Sequence, residues 1–164
     1  SWQRLTAMVS RLQQAMQAMG VKSGDRIAAM MPNMPETVAL MLAASSLGAI
    51  WSSCSPDFGE QGVLDRFGQI EPSLFIACDG YWYNGKRQDV ADKVAAVAAR
   101  LAVPVLVVPY AGDASALIDN SKPFGRLAGV ALGAALATDP PRAVASASAN
   151  EAPTAAGTAK PIDV

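Results

Sequence analysis

Apolar residues recur at alternating steps of three and four through the first part of the chain: Trp2, Leu5, Val9, Leu12, Met16 and Met19. Those steps return to one face of a 3.6-residue helix, so the spacing predicts an amphipathic helix that Gly20 ends. Its methionines read as core packing rather than as a groove for a partner. Ser23-Gly24-Asp25 reads as a turn. "RIAAMM" (26–31) is short, apolar and bounded by turn residues, which predicts a buried strand. Asn33 and Pro35 open a second helix, with Glu36 near its positive end. Val38, Met41, Leu42 and Ser45 are its predicted face, and Gly48 closes it. "AIWSSC" (49–54) is the next predicted strand.

The pattern repeats twice more. Asp57 followed by Glu60 fits a capping arrangement, and Val63, Leu64, Phe67 and Ile70 supply a helical face that Pro72 ends. Gly59, Gly62 and Gly68 weaken this helix by about 1 kcal/mol each, so it must lean on tertiary packing. "LFIAC" (74–78) is a third strand. After a polar loop, Asp89 caps a helix with Val90, Val94, Val97 and Leu101 turned inward, and "PVLVVPY" (104–110) is a fourth strand. Continuous apolar strands alternating with helices predict an α/β fold, a doubly wound parallel sheet covered on both faces. Residues 1–120 form this unit. Residues 121–164 read as an Ala-rich tail: positions 126–164 hold thirteen alanines and no aromatic residue. A short helix is expected at 126–136 and disorder from 138 to 164.

Charge and composition narrow the function classes. Thirteen Lys and Arg stand against fourteen Asp and Glu, a formal net charge of −1. That balance gives no basic surplus for nucleic acid or an anionic membrane. No membrane-spanning run and no signal-peptide pattern is visible. The chain begins at Ser1, which reads as trimmed. Cys54 and Cys78 read as buried thiols of a cytoplasmic protein. There is no histidine, which removes the Ser-His and Cys-His nucleophile pairs and most zinc sites.

Ligands of open parallel sheets bind beyond the carboxyl ends of the strands. The loops there are 31–36, 53–60, 78–87 and 109–113. In the second, "SCSPDFGE", Ser55, Pro56 and Asp57 either turn and cap, or wall a site at a helix N-terminus with free N–H groups. A reactive Cys54 would need a cation beside it, and none is adjacent in sequence. The kinase-like "DFG" lacks every accompanying kinase motif. In the third loop, "DGYWYNGKR" (79–87) sets three aromatics before Gly85, Lys86 and Arg87. It reads equally as a solvated basic turn or as a platform for a purine ring with cations for phosphates.

Two longer runs carry a family resemblance. "GVKSGDRIAAMMPNMPETVALMLAASSLGAIWSSCSPDFG" (20–59) and "VLDRFGQIEPSLFIACDGYWYNGK" (63–86) resemble the adenylate-forming acyl-CoA synthetases, and the likeness covers roughly residues 2–110. The combination of "GAIWSSCSPDFG" (48–59) with the second run resembles the branch whose acid is acetoacetate. The resemblance implies part of the large N-terminal domain of such an enzyme. It implies a reaction in which acid and ATP, with Mg, give an acyl-adenylate whose acyl group passes to the thiol of coenzyme A. It implies small-molecule partners, no nucleic acid and no membrane. It carries over two residue sets for coenzyme A. The backbone at Ser55, Pro56 and Asp57 falls near its nucleotide. Gly85 and Lys86, with Arg87 as a looser match, fall near its phosphates.

No catalytic residue or metal ligand carries over. The family's Ser/Thr/Gly-rich phosphate loop ending in Pro-Lys is not reproduced by "ASASANEAPTAAGTAKP" (145–161). Neither the later acidic ribose motif nor the C-terminal domain with its lysine is found. The chain thus reads as a fragment, inactive by itself. The alternatives are a non-catalytic nucleotide- or coenzyme A-binding module, a non-functional truncation product, or a piece of another short-chain acyl-CoA synthetase. With nothing to orient a triphosphate, the purified 164 residues should release no pyrophosphate above background from ATP and acetoacetate. A clear acid-dependent signal in a pyrophosphate assay would contradict the fragment reading.

Overall fold

The computed structural model describes residues 1–111 of the chain. The expectations for 121–164, among them the helix at 126–136 and the disorder from 138, lie outside the described residues. Two helices and a strand open the fold: α1 (Trp2–Ala18), β1 (Arg26–Met30) and α2 (Pro35–Ser46). They are followed by β2 (Ile50–Cys54), α3 (Glu60–Phe67) and β3 (Leu74–Cys78). A hairpin of β4 (Gly80–Tyr83) and β5 (Lys86–Asp89) leads into α4 (Ala91–Leu101) and β6 (Val105–Val108).

Four strands form one parallel sheet in the order β2-β1-β3-β6. The central pair is apolar on both faces. Ile27 to Met30 and Phe75 to Cys78 have no exposed surface, so neither face could be left to water. The register sets Ile27 beside Leu74 and Trp51, and Phe75 beside Val105. α1 packs on α2, and α3 packs on α4. The order of strand addition reverses at β1: the chain runs from β1 to β2 on one side, then crosses to β3 and on to β6 on the other. Right-handed crossovers then send the two helix pairs to opposite faces, which is double winding as predicted. Phe67 of α3 meets Phe75 of β3 with ring centroids 6.1 Å apart and planes tilted by 57°, a favourable aromatic geometry.

Three local predictions change. The buried face of α2 is Ala39, Leu40, Ala43 and Ala44, not Val38, Met41, Leu42 and Ser45. Val38, Met41 and Leu42 keep 42%, 38% and 38% of their surface. Small side chains let α2 approach the sheet and α1 closely, and close approach outweighs side-chain hydrophobicity here. Its N-cap is Met34 rather than Asn33, while the Thr37 hydroxyl donates to the Pro32 carbonyl at 2.8 Å. α3 is capped by the backbone of Gly59, with no side-chain cap from Asp57, and stops at Gly68, before Pro72.

The largest change is the polar loop before α4, which is the β4–β5 hairpin. Tyr83 pairs with Lys86, so Asn84 and Gly85 alone make the turn. Their φ angles are +50° and +71°, the paired left-handed conformation of a tight hairpin that Asn-Gly favours. At the hairpin's base, a Cβ on Gly80 would lie 2.9 Å from the Gln88 carbonyl oxygen and 3.0 Å from Ala111 Cβ, so only glycine fits without displacing backbone. Asp89 does serve the start of α4, its Oδ1 accepting from the Ala91 N–H at 2.8 Å.

The α2 result is checkable by urea unfolding. Ala43→Leu should overpack the stripe and cost about 1–3 kcal/mol. Met41→Ala, on the outer face, should cost less than about 1 kcal/mol. The opposite order would restore the face predicted from the sequence.

Candidate functional site

The carboxyl ends of the strands carry the loops singled out above. Met31, after β1, donates its N–H to the carbonyl of Cys54 at 3.1 Å. This ties the mouth of β1 to that of β2. The loop after β2 is a turn: Phe58 N–H donates to the Ser55 carbonyl at 3.3 Å, with Pro56 buried and Ser55 and Asp57 exposed. The first intrahelical bond of α3 runs from Val63 N–H to the Gly59 carbonyl. The N–H groups of Glu60, Gln61 and Gly62 therefore have no acceptor within the helix, as at any helix start.

Lys93, in the first turn of α4, reaches across to this loop. Its Nζ donates to the Pro56 carbonyl at 2.5 Å and to the Phe58 carbonyl at 2.9 Å. The Arg66 guanidinium lies over the Phe58 ring, 5.2 Å from its centroid. Arg100 of α4 pairs with Glu60 of α3 at 3.9 Å. The sequence offered no sign of the Lys93 contact, because its partners are backbone atoms far away in the chain.

Asp79 was missed as well. It is the one charged residue buried among the described residues, at 3% exposure. Its Oδ1 accepts from the backbone N–H groups of Tyr110 and Ala111 at 2.7 and 2.8 Å. It thereby binds the base of the hairpin to the exit of β6. The signal was present in "ACDG", an acid directly following a fully apolar strand.

The hairpin separates the residues that the sequence set side by side. Successive residues of a strand face opposite ways. Lys86 shares a face with its partner Tyr83, and with Tyr81 and Gln88. Arg87 shares the other with its partner Trp82. Arg87 also leans over the base, its Nε 3.6 Å from where a Cβ on Gly80 would stand. Gly85, Lys86 and Arg87 are all exposed, as are Trp82 and Tyr83. The two candidate segments meet at the start of α4: the hairpin runs into it through Asp89 and Val90, and the loop at 55–59 is held to it by Lys93.

Both thiols are inert by environment. Burial pushes Cys54 up from its ordinary 9.0 to about 11, although Arg66 and Lys93 favour the thiolate and only Asp57 opposes it further. The cations that the sequence seemed to lack are thus near in space, and desolvation outweighs them. Burial pushes Cys78 up to about 11 too, against a hydrogen bond from the Gly80 backbone. Among the described residues, no group of three or more His, Cys, Asp or Glu could hold a metal ion. No described helix is long and apolar enough to cross a membrane. A shallow, open depression follows α3, lined by Gly62, Asp65, Arg66 and Gln69.

These features define a doubly wound α/β domain whose candidate loops gather at the carboxyl edge of the sheet. The chain belongs to the AMP-binding enzyme family, which it matches over residues 1–151. The match runs past residue 110, where the sequence comparison above placed the end of the likeness. The chain is 74% identical, over 117 residues, to a Rhizobium meliloti (strain 1021) protein described as acetoacetyl-coenzyme A synthetase. That alignment covers 71% of this chain and 18% of that protein. A Xenopus tropicalis acetoacetyl-CoA synthetase is 50% identical over 98 residues, 58% of this chain and 15% of that one. The solved acetoacetyl-CoA synthetase of Streptomyces lividans superposes with a TM-score of 0.65 at 38% identity, covering 76% of this chain and 19% of that one. A Brucella canis acyl-CoA synthetase gives 0.56 at 25% identity, covering 69% and 19%. The chain thus spans less than a fifth of the length of these relatives.

The thiols fix a pH window. Their folded pKa of about 11 lies above the ordinary 9.0, so the fold favours the protonated form. Their contribution to stability is complete below pH 9 and is lost as pH rises toward 11. Alkylation of the native chain by iodoacetamide at pH 8 should be at least about tenfold slower than in urea. A Cys54→Ala, Cys78→Ala double variant should lose less stability than the parent between pH 8 and 10.5. Equal losses, or rapid native alkylation, would show the thiols to be open.

Proposed function

We propose that this chain is part of an acid–thiol ligase that activates acetoacetate with ATP and passes the acyl group to coenzyme A. The observation that carries the proposal is the 74% identity, over 117 residues, to the Rhizobium meliloti protein of that description. In this reading the carboxylate of the acid displaces pyrophosphate from ATP to give an acyl-adenylate. The thiol of coenzyme A then displaces AMP. Magnesium would accompany the ATP. The described residues hold no cluster to bind it, and no step is assigned to it here. The cytoplasm is the compartment that such a soluble-substrate reaction and two reduced thiols suit.

The role proposed for the described residues is the entrance for coenzyme A. The backbone at Ser55, Pro56 and Asp57 would stand against its nucleotide, beside the open N–H groups at the start of α3. The turn at Gly85 would carry Lys86 toward its phosphates. Arg87, on the other face of the hairpin, would meet them only if coenzyme A lay across the hairpin's edge, so its share is smaller. The exposed ring of Tyr83, on the same face as Lys86, would give the adenine a surface to stack on. The runner-up, a coenzyme A-binding module without chemistry, shares this entrance and lacks the first half-reaction.

The test uses this chain carried within a complete ligase. Lys86→Ala should raise the KM for coenzyme A by about tenfold, from loss of one charged hydrogen bond at a wet site. Arg87→Ala should raise it less. Acetoacetate-dependent ATP–pyrophosphate exchange should stay near the parent rate for both. No change in either assay would leave the hairpin a solvated turn, and equal damage to both would make it a support of the fold.

A further inference from the structure

We infer that Lys93 is a positioning residue for this entrance, acting through the loop between β2 and α3. The inference rests on the function proposed above.

The first turn of a helix is the wrong place for a cation, because the free N–H groups there already carry positive potential. A lysine is also long and loses much rotamer freedom when held. Lys93 is nonetheless fixed, by two carbonyls from one short turn, Pro56 and Phe58. Carboxylates are close along the chain at Asp89 and Asp92, and across α3 at Glu60. Among the described residues Lys93 pairs with none of them, and Glu60 goes to Arg100 instead. The ammonium is therefore committed to the shape of the loop.

Two further contacts complete the clamp. The buried ring of Pro56 anchors one end of the turn, and Arg66 covers the ring of Phe58 at its other end. Asp57, between them, has no hydrogen bond among the described residues and stays exposed. The clamp has an electrostatic consequence as well as a geometric one. The oxygens of Pro56 and Phe58 would repel an anion placed at the start of α3. With an ammonium on both, their negative ends are covered. The loop can then border an anionic ligand without opposing it. Because Lys93 follows the hairpin by four residues, the same helix turn sets the spacing between the two proposed walls.

Lys93→Met keeps the length and removes the donors, and Lys93→Arg keeps donors. Hydrogen exchange on the 164-residue chain tests the clamp without any activity. The Phe58 amide, which donates to the Ser55 carbonyl across the turn, should exchange at least about tenfold faster in Lys93→Met, with the sheet amides unchanged, and Lys93→Arg should restore most of the protection. Within a complete ligase, Lys93→Met should raise the KM for coenzyme A by about tenfold, with ATP–pyrophosphate exchange near the parent rate. Unchanged exchange at the Phe58 amide overturns the inference, as does equal loss in both half-reactions. If Lys86→Ala has no effect while Lys93→Met raises this KM, the hairpin's role falls and the Lys93 role stands. If the complete parent uses no coenzyme A, the proposed function falls, and this inference falls with it even where the clamp is seen by exchange.

Discussion

Everything in this domain depends on two strands that have no wet side. β1 and β3 lie next to each other, are apolar on both faces, and hold no surface against solvent over most of their length. Such a pair is stable only between two layers of helix. That requirement sends α1 and α2 to one face and α3 and α4 to the other. It also forces the connections to leave β1 and β3 in opposite directions, which opens the crevice at their carboxyl ends. The place where a ligand can bind follows from the need to keep these strands dry.

The loops at that edge are built to hold still, although few regular elements are involved. A carboxylate, Asp79, gathers two amides from the exit of β6. An ammonium, Lys93, gathers two carbonyls from the turn after β2. Each is a charged side chain satisfying backbone that no helix or sheet can serve. Between them they fix the base of the hairpin and the start of α3, and the exposed residues Asp57, Lys86 and Arg87 project from those supports. The supports are buried or committed, and the residues proposed to meet a ligand are exposed.

Periodicity in the sequence was enough for the span of α1, and continuous apolar runs for the four parallel strands, although Trp2 on the predicted face of α1 is 82% exposed and Ile50 of the edge strand β2 is 58% exposed. It misled at α2, where Ala39, Ala43 and Ala44 are buried because they are small, and Met41 and Leu42 are left outside. The hairpin was missed because Tyr81 to Tyr83 and Lys86 to Gln88 show no alternation of apolar and polar residues. Asn84-Gly85, a strong turn signal by itself, stood in plain view. Of the six candidate binding residues, Ser55, Pro56 and Asp57 lie in a loop as read from the sequence, whereas Gly85 lies in the hairpin turn and Lys86 and Arg87 in β5. The separation of Lys86 from Arg87 onto opposite faces followed only once both were known to be in a strand. The partners of Lys93 were beyond any sequence reading, since a carbonyl acceptor leaves no mark on residue type.

The strand order also sets an order in time. β1 sits inside the sheet, with β2 on one side and β3 on the other. A chain growing from its N-terminus can pair β1 with β2 once Cys54 has been added, but the other edge of β1 stays open until Leu74 arrives. β6 closes the far side later still. Only the hairpin forms from neighbours in sequence, on a scale of roughly microseconds, whereas parallel pairings wait on long loops and are slow. For that interval, a strand that ends up buried on both faces has a bare row of N–H and C=O groups on one side. The nascent chain therefore carries an open edge on β1 while residues 55 to 73 are being made, and then one on β3 until β6 arrives, before the hairpin side of the proposed entrance is closed in.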